Sequence, residues 1–353
     1  MSSVGRLRAV LLAMLVMLCV PAPGLARGTI RPPGRIAYAT GGVSGDDEVW
    51  IAAADGTHRR RLGSGIAPLV SPDGRLVAAS LLGATGHALA IYPAGGGRPT
   101  VYFDVSRLSA TAASWSPDSR YVAVELYSVT SDSDPLAGLA VVDTRRRTVT
   151  MVDYGEIAGA SFAPHTPDRI TWGQAWIGNP AGPVDIYTAR VDGTGRKRIT
   201  YDALNMNPVW GPSWIAYDHQ TLRPGDAPVY EVWLMRTDGT HKHPITRITV
   251  PTLLDGLVPV AWSGNGARLL TSYQGQDTSQ TWTLVPSSGA LHRLMAGGRD
   301  VDAAGISSSG ATVLVDQGAF MDVPSDGTVE TLPFTGGRPT VLVSHGADPS
   351  WNR

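Results

Sequence analysis

Short apolar runs, each four or five residues long and followed by turn-forming residues, dominate the chain. Typical examples are LVAAS at 76–80, YVAVE at 121–125 and TVLVD at 312–316. Runs of this length, bounded by glycine, proline and aspartate, are typical of β-strands. No segment sustains the 3.6-residue apolar period of a helix, so the pattern excludes a helical solenoid and predicts an all-β fold.

The pattern repeats along the chain. SPDGRLVAAS at 71–80 recurs as SPDSRYVAVE at 116–125. The intervals between successive copies are 45, 47, 48, 52, 44 and 45 residues. In each copy a bulky apolar residue precedes the turn formers, and these residues are Val70, Trp115, Phe162, Trp210, Trp262, Ile306 and Trp351. A period of this length indicates a repeat architecture, in which we expect this apolar residue to pack between neighbouring repeats.

Each repeat has the signals for four strands. The Ser-Pro-Asp-Gly turn joins the first strand to the second, because proline presets φ and Asp-Gly fits a tight corner. A fourth run closes each repeat, as in HPIT at 243–246 and VETL at 329–332. Asp-Gly hairpins are predicted between the third and fourth strands, at ADGT (54–57), VDGT (191–194), TDGT (237–240) and SDGT (325–328).

Four antiparallel strands in each of seven repeats predict a seven-bladed β-propeller over residues 34–353. The first run, GRIAYAT at 34–40, lacks an innermost neighbour, and the last run, which ends at Trp351, lacks a partner. We therefore expect the N- and C-terminal strands to pair in one blade. This pairing closes the ring and leaves no open strand edge.

The repeats SPDGRLVAAS, SWSPDSRYVAVE, DIYTARVDGTGRKRIT and EVWLMRTDGTHKHPIT resemble those of TolB-type propellers, the PD40 or WD40-like family. The resemblance covers roughly residues 34–353. It implies a stand-alone propeller, whereas TolB itself has six blades and an additional N-terminal domain. The repeated motif forms turns and strands, so it implies a fold and no particular ligand.

The first 26 residues have the three parts of a secretory signal peptide. Arg6 and Arg8 precede the apolar run at 9–20, and small residues lead to a predicted cleavage site after Ala26. The run is too short for a stable membrane-spanning helix, although an uncleaved anchor is the alternative. Residues 27–33 are then a short linker, and we expect a secreted or extracytoplasmic protein.

Composition narrows the classes of function. Cys19, the only cysteine, lies in the predicted leader, so the mature chain has no thiol for a disulfide or a metal. Without Arg6 and Arg8, 27 basic residues face 30 acidic residues. A nucleic-acid-binding protein is usually strongly basic, so this balance argues against nucleic acid as a partner.

Catalytic motifs are weak in this sequence. The closest string to a Gly-x-Ser-x-Gly elbow is GASFA at 159–163, which lacks the final glycine. Three histidines are candidate metal ligands because we expect them in connections around the channel mouth: His87, His219 and His345. Oligogalacturonate lyases are similar secreted propellers that hold a metal with histidines there, so this resemblance implies a metal-dependent polysaccharide lyase as an alternative. Scattered surface histidines are the simpler interpretation, and we expect no cofactor.

The channel-mouth connections also contain candidate ligand-binding residues: Asp47, Asp134, Trp176, Asp218 and Asp277. Asp300, Asp302 and Asp348 fall in the same connections, whereas the arginine-rich runs at 59–61, 145–147 and 196–198 fall in the opposite hairpins. The leading interpretation is a monomeric, non-catalytic binding or scaffolding propeller. Its expected partner is a protein or a component of the cell envelope.

Overall fold

A computed structural model describes residues 34–41, 47–83, 86–103, 108–129, 137–174, 184–221, 229–248, 254–275, 279–317 and 327–352. Within these ranges every regular element is a β-strand, so none of them contains a helix that could cross a membrane. All described residues belong to one compact part of the chain, Pro33–Arg353. The predicted signal peptide and linker therefore lie outside the described residues.

The strands pair in antiparallel groups of four, which we call units, and one parallel bridge between Tyr230 and Gly256 joins two of these groups into a single sheet. Before the first complete unit, the chain forms β1 (Arg35–Thr40), β2 (Glu48–Ala53) and β3 (Arg60–Ser64). Unit 1 consists of β4 (Ile66–Val70), β5 (Leu76–Leu82), β6 (His87–Pro93) and β7 (Thr100–Tyr102). Unit 2 consists of β8 (Leu108–Trp115), β9 (Tyr121–Ser128), β10 (Gly138–Asp143) and β11 (Thr148–Tyr154). Unit 3 consists of β12 (Ile157–Phe162), β13 (Arg169–Gln174), β14 (Asp185–Arg190) and β15 (Lys197–Arg198).

The second half of the chain repeats this order and adds one short hairpin, β24 with β25, between units 5 and 6. Unit 4 consists of β16 (Asn205–Trp210), β17 (Ile215–Thr221), β18 (Val229–Met235) and β19 (His243–Pro244), and unit 5 of β20 (Leu254–Trp262), β21 (Leu269–Gly275), β22 (Ser279–Val285) and β23 (Ala290–Arg293). The hairpin consists of β24 (Met295–Ala296) and β25 (Arg299–Asp300). Unit 6 consists of β26 (Asp302–Ile306), β27 (Thr312–Gln317), β28 (Thr328–Pro333) and β29 (Thr340–Ser344).

The last strand completes unit 7 with the first three. β30 (Ala347–Trp351) pairs with β1, and Ile36 lies opposite Trp351. The innermost strands also contact one another in sequence, from β4 through β8, β12, β16, β20 and β26 to β30, which contacts β4 again. The described strands therefore form a closed ring of units, and the fold is an all-β propeller, as the repeat predicts.

The second strand of each unit is buried on both faces, and so is the third strand of units 1 and 2. Every residue of β10 is buried, and so are four consecutive residues of β1 and of β27. The apolar clusters lie between units: Val122 and Val142 of unit 2 pack with Leu89 and Ile91 of unit 1. This packing explains why the sequence shows short continuous apolar runs instead of the alternation of a sheet with one wet face.

The SPDG motif forms the turn between first and second strands. The hydroxyl of Ser71 donates a hydrogen bond to the carboxylate of Asp73 at 2.7 Å and accepts one from the backbone amide of Leu76 at 3.0 Å. The Gly74 amide donates to the Ser71 carbonyl at 2.8 Å, and the φ of Gly74 is 68°. The repeat therefore stabilises a corner of the fold through hydrogen bonds within the turn, and the Asp73 amide adds one to the Ser119 hydroxyl of unit 2.

The apolar residue before each turn lies at the boundary with the preceding unit, as predicted. The indole Nε1 of Trp115 donates to the Leu69 carbonyl at 2.8 Å, and that of Trp262 donates to the Val209 carbonyl at 3.0 Å. Both side chains are buried. A tryptophan here joins two units by packing and by a hydrogen bond.

One strand assignment from the sequence is wrong. VETL at 329–332 belongs to β28, which pairs with β27 as the third strand of unit 6. The fourth strand is β29, which pairs with β28. An Asp-Gly dipeptide indicates a tight turn, but it does not indicate which turn of a unit it forms. Thr328, the last residue of SDGT, begins this third strand, whereas Ser325 and Asp326 lie outside the described residues.

Candidate functional site

The channel-mouth face is the edge at which second strands lead to third strands and fourth strands lead to the next unit. The structure places the candidate histidines on this side, but in three different units. His87 is the first residue of β6, His219 lies inside β17, and His345 lies between β29 and β30. No three His, Cys, Asp or Glu side chains of the described ranges are grouped so that they could hold a metal ion.

His219 lies in a strand instead of the connection that we expected. Its Nδ1 atom is 2.9 Å from the Asn205 Oδ1 atom, and its ring centroid is 4.3 Å from that of Trp233. Burial lowers the pKa of His219, an effect that the nearby carboxylates of Asp202 and Glu231 oppose. The imidazole is therefore held by an amide and an indole within unit 4.

Of the five predicted ligand-binding residues, Asp134, Trp176 and Asp277 lie outside the described residues. Asp47 is half-buried beside the start of β2. Asp218 lies inside β17 with only 1% of its surface exposed, so the expectation of a loop position is wrong. The apolar run WIAYD at 214–218 continues through this residue, and its backbone pairs on both sides within the sheet.

Asp218 belongs to a set of acidic residues that occupy one position of the second strand. Glu125, Asp218 and Asp316 are equivalent, because each lies three residues after the residue that pairs with the last residue of the innermost strand. Asp218 and Asp316 are almost fully buried, with exposures of 1% and 4%. Burial raises the pKa of Asp218 to about 7, and it raises the pKa of Asp316 to about 7 with help from neighbouring carboxylates.

Asp316 and Asp218 accept hydrogen bonds from different groups, because the innermost strand of the next unit offers an amide hydrogen to only one of them. The Asp348 amide in β30 donates to the Asp316 Oδ2 atom at 2.9 Å. The equivalent residue of β20, three before Trp262, is Pro259, which has no amide hydrogen. Asp218 instead accepts a 3.3 Å hydrogen bond from the Asn207 side chain of its own unit. In both acids the Oδ1 atom is buried and has no hydrogen-bond partner.

Asp316 differs from Asp218 because other carboxyl groups surround it. Asp302 lies directly opposite it across the β26–β27 pair, and Asp348 approaches from unit 7. The pKa of Asp302 is raised by burial and by the charges of Asp300 and Asp348. We call Asp302, Asp316 and Asp348 the carboxyl cluster. It lies at the boundary between units 6 and 7, on the channel-mouth side of both innermost strands.

The sequence contains a signal for these acids. Three of the second-strand runs end in an acidic residue at the same repeat position: YVAVE, WIAYD and TVLVD. Charged residues are rarely buried, so an acid within an otherwise apolar, two-sided strand marks an unusual position. Its surroundings could not be predicted, because Asp302 and Asp348 come from different units.

Apolar side chains are exposed on the same face. Of the nine large apolar side chains exposed in the described ranges, six lie at strand ends or connections of the channel-mouth face: Leu82, Tyr127, Val129, Tyr154, Tyr201 and Met295. The other three, Val101, Val149 and Val341, lie on fourth strands at the outside of the ring.

The arginine-rich runs are partly neutralised. Their ion pairs are Arg61 with Glu48, Arg196 with Asp153 and Arg198 with Asp185. The runs at 59–61 and 196–198 are therefore not purely basic, whereas none of the ion pairs between described residues includes an arginine of the run at 145–147.

Comparisons with known proteins show the fold. No protein-family profile matches the chain, and no curated protein matches it. The structure is similar to TolB from Acinetobacter baumannii, with 13% identity, a TM-score of 0.53 and coverage of 90% of this chain and 66% of TolB. The chain thus spans slightly less than two thirds of the length of that protein.

Two further structures are similar over most of their own length. The β-propeller domain of the Trilobed protease from Pyrococcus furiosus shares 12% identity, with a TM-score of 0.60 and coverage of 88% and 96% of the two chains. An oligogalacturonate lyase in complex with manganese shares 12% identity, with a TM-score of 0.56 and coverage of 88% and 84%. Likeness at these identities extends to the fold alone. The chain has the fold of the TolB-like, PD40-type β-propellers.

Proposed function

We propose that this protein is an extracytoplasmic, monomeric and non-catalytic propeller that binds a protein partner, or a component of the cell envelope, through its channel-mouth face. The observation that supports the proposal is the concentration of exposed apolar side chains on that face, with Tyr154 and Tyr201 exposed by 50% and 70%. An excess of exposed apolar side chains on one face marks that face as a candidate interaction surface. The extracytoplasmic location rests on the leader at residues 1–26.

The carboxyl cluster adds a second property to the same face. It supplies acidic groups on units 6 and 7, whereas Leu82, Tyr127 and Tyr154 supply apolar contacts on units 1 and 2. A partner with both apolar and basic residues matches this combination. Interfaces of this kind have an aromatic or apolar centre and charges that fix the orientation.

Site-specific cross-linking tests the proposal. A photoreactive benzoylphenylalanine replaces Tyr154 or Tyr201 in the secreted protein, and the controls carry it at Val101 or Val341, which are exposed by 49% and 53% on the outside of the ring. We expect a discrete cross-linked product from the first two positions and none from the controls. Equal cross-linking at all four positions, or none at any, would contradict a binding face at the channel mouth.

The alternative is a metal-dependent polysaccharide lyase, and its support is the likeness to the oligogalacturonate lyase in complex with manganese. His87, His219 and His345 belong to different parts of the ring, and Nδ1 of His219 is already bonded to Asn205. The lyase is therefore the second candidate. Stoichiometric manganese in the purified protein, lost in a His219→Ala variant, would favour it over the binding module.

A further inference from the structure

The three acids of the carboxyl cluster lack a compensating cation among the described residues. None of the ion pairs in these ranges includes Asp302, Asp316 or Asp348. Their neighbour Asp300 shows the contrast, because Arg293 holds both of its carboxylate oxygens at 2.6 Å. The fold thus neutralises one acid of this region and leaves three others together.

Asp316 gives the second observation. Its side chain is 96% buried, since only 4% of its surface is exposed, yet its Oδ1 atom has no hydrogen-bond partner. A buried polar atom without a partner costs free energy, and most such atoms in proteins are satisfied by protein groups, water or a bound group. The unpartnered oxygen belongs to the side chain that lies between Asp302 and the amide of Asp348.

A comparison with Asp218 shows which properties of Asp316 come from burial and which come from the neighbouring carboxyl groups. It has the same repeat position, comparable burial and an equally unpartnered Oδ1 atom. Burial and hydrogen bonds alone perturb its pKa, whereas the charges of Asp302 and Asp348 also act on Asp316. A single buried acid is tolerated in its neutral form, but three acids at one boundary favour a bound positive charge.

The geometry favours an organic cation over a metal ion. Asp302 and Asp316 are cross-strand partners, so their Cβ atoms lie about 5 Å apart, and Asp348 approaches from the next unit. No metal-binding group of three such side chains occurs in the described ranges. A guanidinium group is larger and planar, and its five N–H donors can bind two carboxylates at once.

We propose that Asp302 and Asp348 bind the guanidinium group of an arginine side chain of the partner, with Asp316 behind them as a buried counter-charge. Asp348 is exposed and Asp302 is half-buried, so both are accessible from the channel-mouth face. The inference rests on the proposed function, because it gives the chemistry of one contact on that face.

A titration with a small probe tests this site without the partner. The full mature protein is titrated by NMR at pH 8 and low salt with acetyl-arginine amide, and in parallel with the neutral citrulline analogue. We expect saturable binding of the arginine compound and none of citrulline. The Asp302→Asn and Asp316→Asn variants should each weaken binding at least tenfold. Asp218→Asn is the matched control and should leave the affinity unchanged.

Each other outcome has a defined meaning. Unchanged affinity in Asp302→Asn, the more exposed of the two sites, overturns the proposal even if Asp316→Asn fails to fold. Equal binding of citrulline, no binding by the wild type, or stoichiometric binding of Ca²⁺ or Mn²⁺ that depends on Asp302 also overturns it. Cross-linking at Tyr154 that persists in Asp302→Asn, together with a negative titration, would remove this contact and leave the binding function intact.

Discussion

The backbone amide of Val70 donates a 2.9 Å hydrogen bond to the hydroxyl of Ser350, although 280 residues separate them. Val70 ends the innermost strand of unit 1, and Ser350 lies in β30, which completes unit 7. Both residues are buried. The contact therefore joins the two ends of the chain at the point where the ring closes.

Removal of residues 347–353 should abolish cooperative unfolding. The truncation deletes β30, which leaves the β1 edge unpaired and removes the strand of unit 7 that contacts β4 of unit 1. A sheet edge opened in this way also favours aggregation. Thermal unfolding followed by circular dichroism measures the effect. A truncated protein that unfolds at the temperature of the full chain would contradict closure by this strand.

A smaller change tests the same contact. Ser350→Ala leaves the buried Val70 amide without an acceptor, and we expect a loss of about 1–3 kcal/mol in the free energy of unfolding. Ser344→Ala is the control because Ser344 is exposed on β29, and it should stay within about 0.5 kcal/mol of the wild type. Urea denaturation of the three proteins gives the comparison.

The loss of stability on replacing a tryptophan between units should depend on whether its indole donates a hydrogen bond. The Nε1 atom of Trp262 donates to the Val209 carbonyl, whereas Nε1 of Trp351 is buried without a partner. We expect Trp262→Phe to lose more stability than Trp351→Phe, by about 0.5–1.5 kcal/mol, the net contribution of one hydrogen bond. Equal losses in urea denaturation would assign the role of these residues to packing alone.

Stability should fall as the pH rises from about 4 to about 7. Burial raises the pKa of Asp218 to about 7, whereas an aspartate in the unfolded chain titrates near 4. Between these values the folded state binds more protons than the unfolded state, so its stability decreases with increasing pH. Asp218→Asn should therefore show a smaller loss of urea midpoint between pH 5 and pH 8 than the wild type.

Asp192→Asn provides the control for this experiment. The hydroxyl and amide of Thr194 lower the pKa of Asp192, so its contribution to stability is lost only at more acidic pH. Its pH dependence between pH 5 and pH 8 should equal that of the wild type. A wild-type protein whose stability is constant across this range would refute a neutral, buried Asp218.

Gly256 should not accept a side chain. It joins unit 5 to unit 4 through a parallel bridge to Tyr230, its φ is 135°, and a Cβ atom there would lie 2.2 Å from the Tyr230 carbonyl oxygen. Gly256→Ala should therefore cost more than the roughly 1 kcal/mol typical of backbone strain alone. Gly195→Ala is the control, since Gly195 also has positive φ but no atom near the added methyl group. Equal losses in urea denaturation would contradict a steric role for the bridge.

Local sequence patterns predicted a strand or turn correctly where the pattern fits only one place in the unit. SPDG at 71–74 forms the predicted turn because its side chains and backbone satisfy one another within a few residues. SDGT at 325–328 predicts a turn before a fourth strand, but Thr328 begins the third strand β28, because Asp-Gly chemistry fits more than one of the three turns of a unit. His219 and Asp218 were expected in a connection, yet both lie in β17, whose pairing with β18 continues to Thr221.

The sequence by itself determined the repeat, the Ser-Pro-Asp-Gly turn and the closure of the ring, because strand period, turn chemistry and repeat length are local properties that recur along the chain. Only the tertiary structure decided which groups meet across units. Asp302 and Asp316 become neighbours through strand register, and Asp348 joins them only when the last strand closes unit 7. The energies of such contacts depend on burial and on side chains far apart in sequence, so no local pattern could indicate the carboxyl cluster.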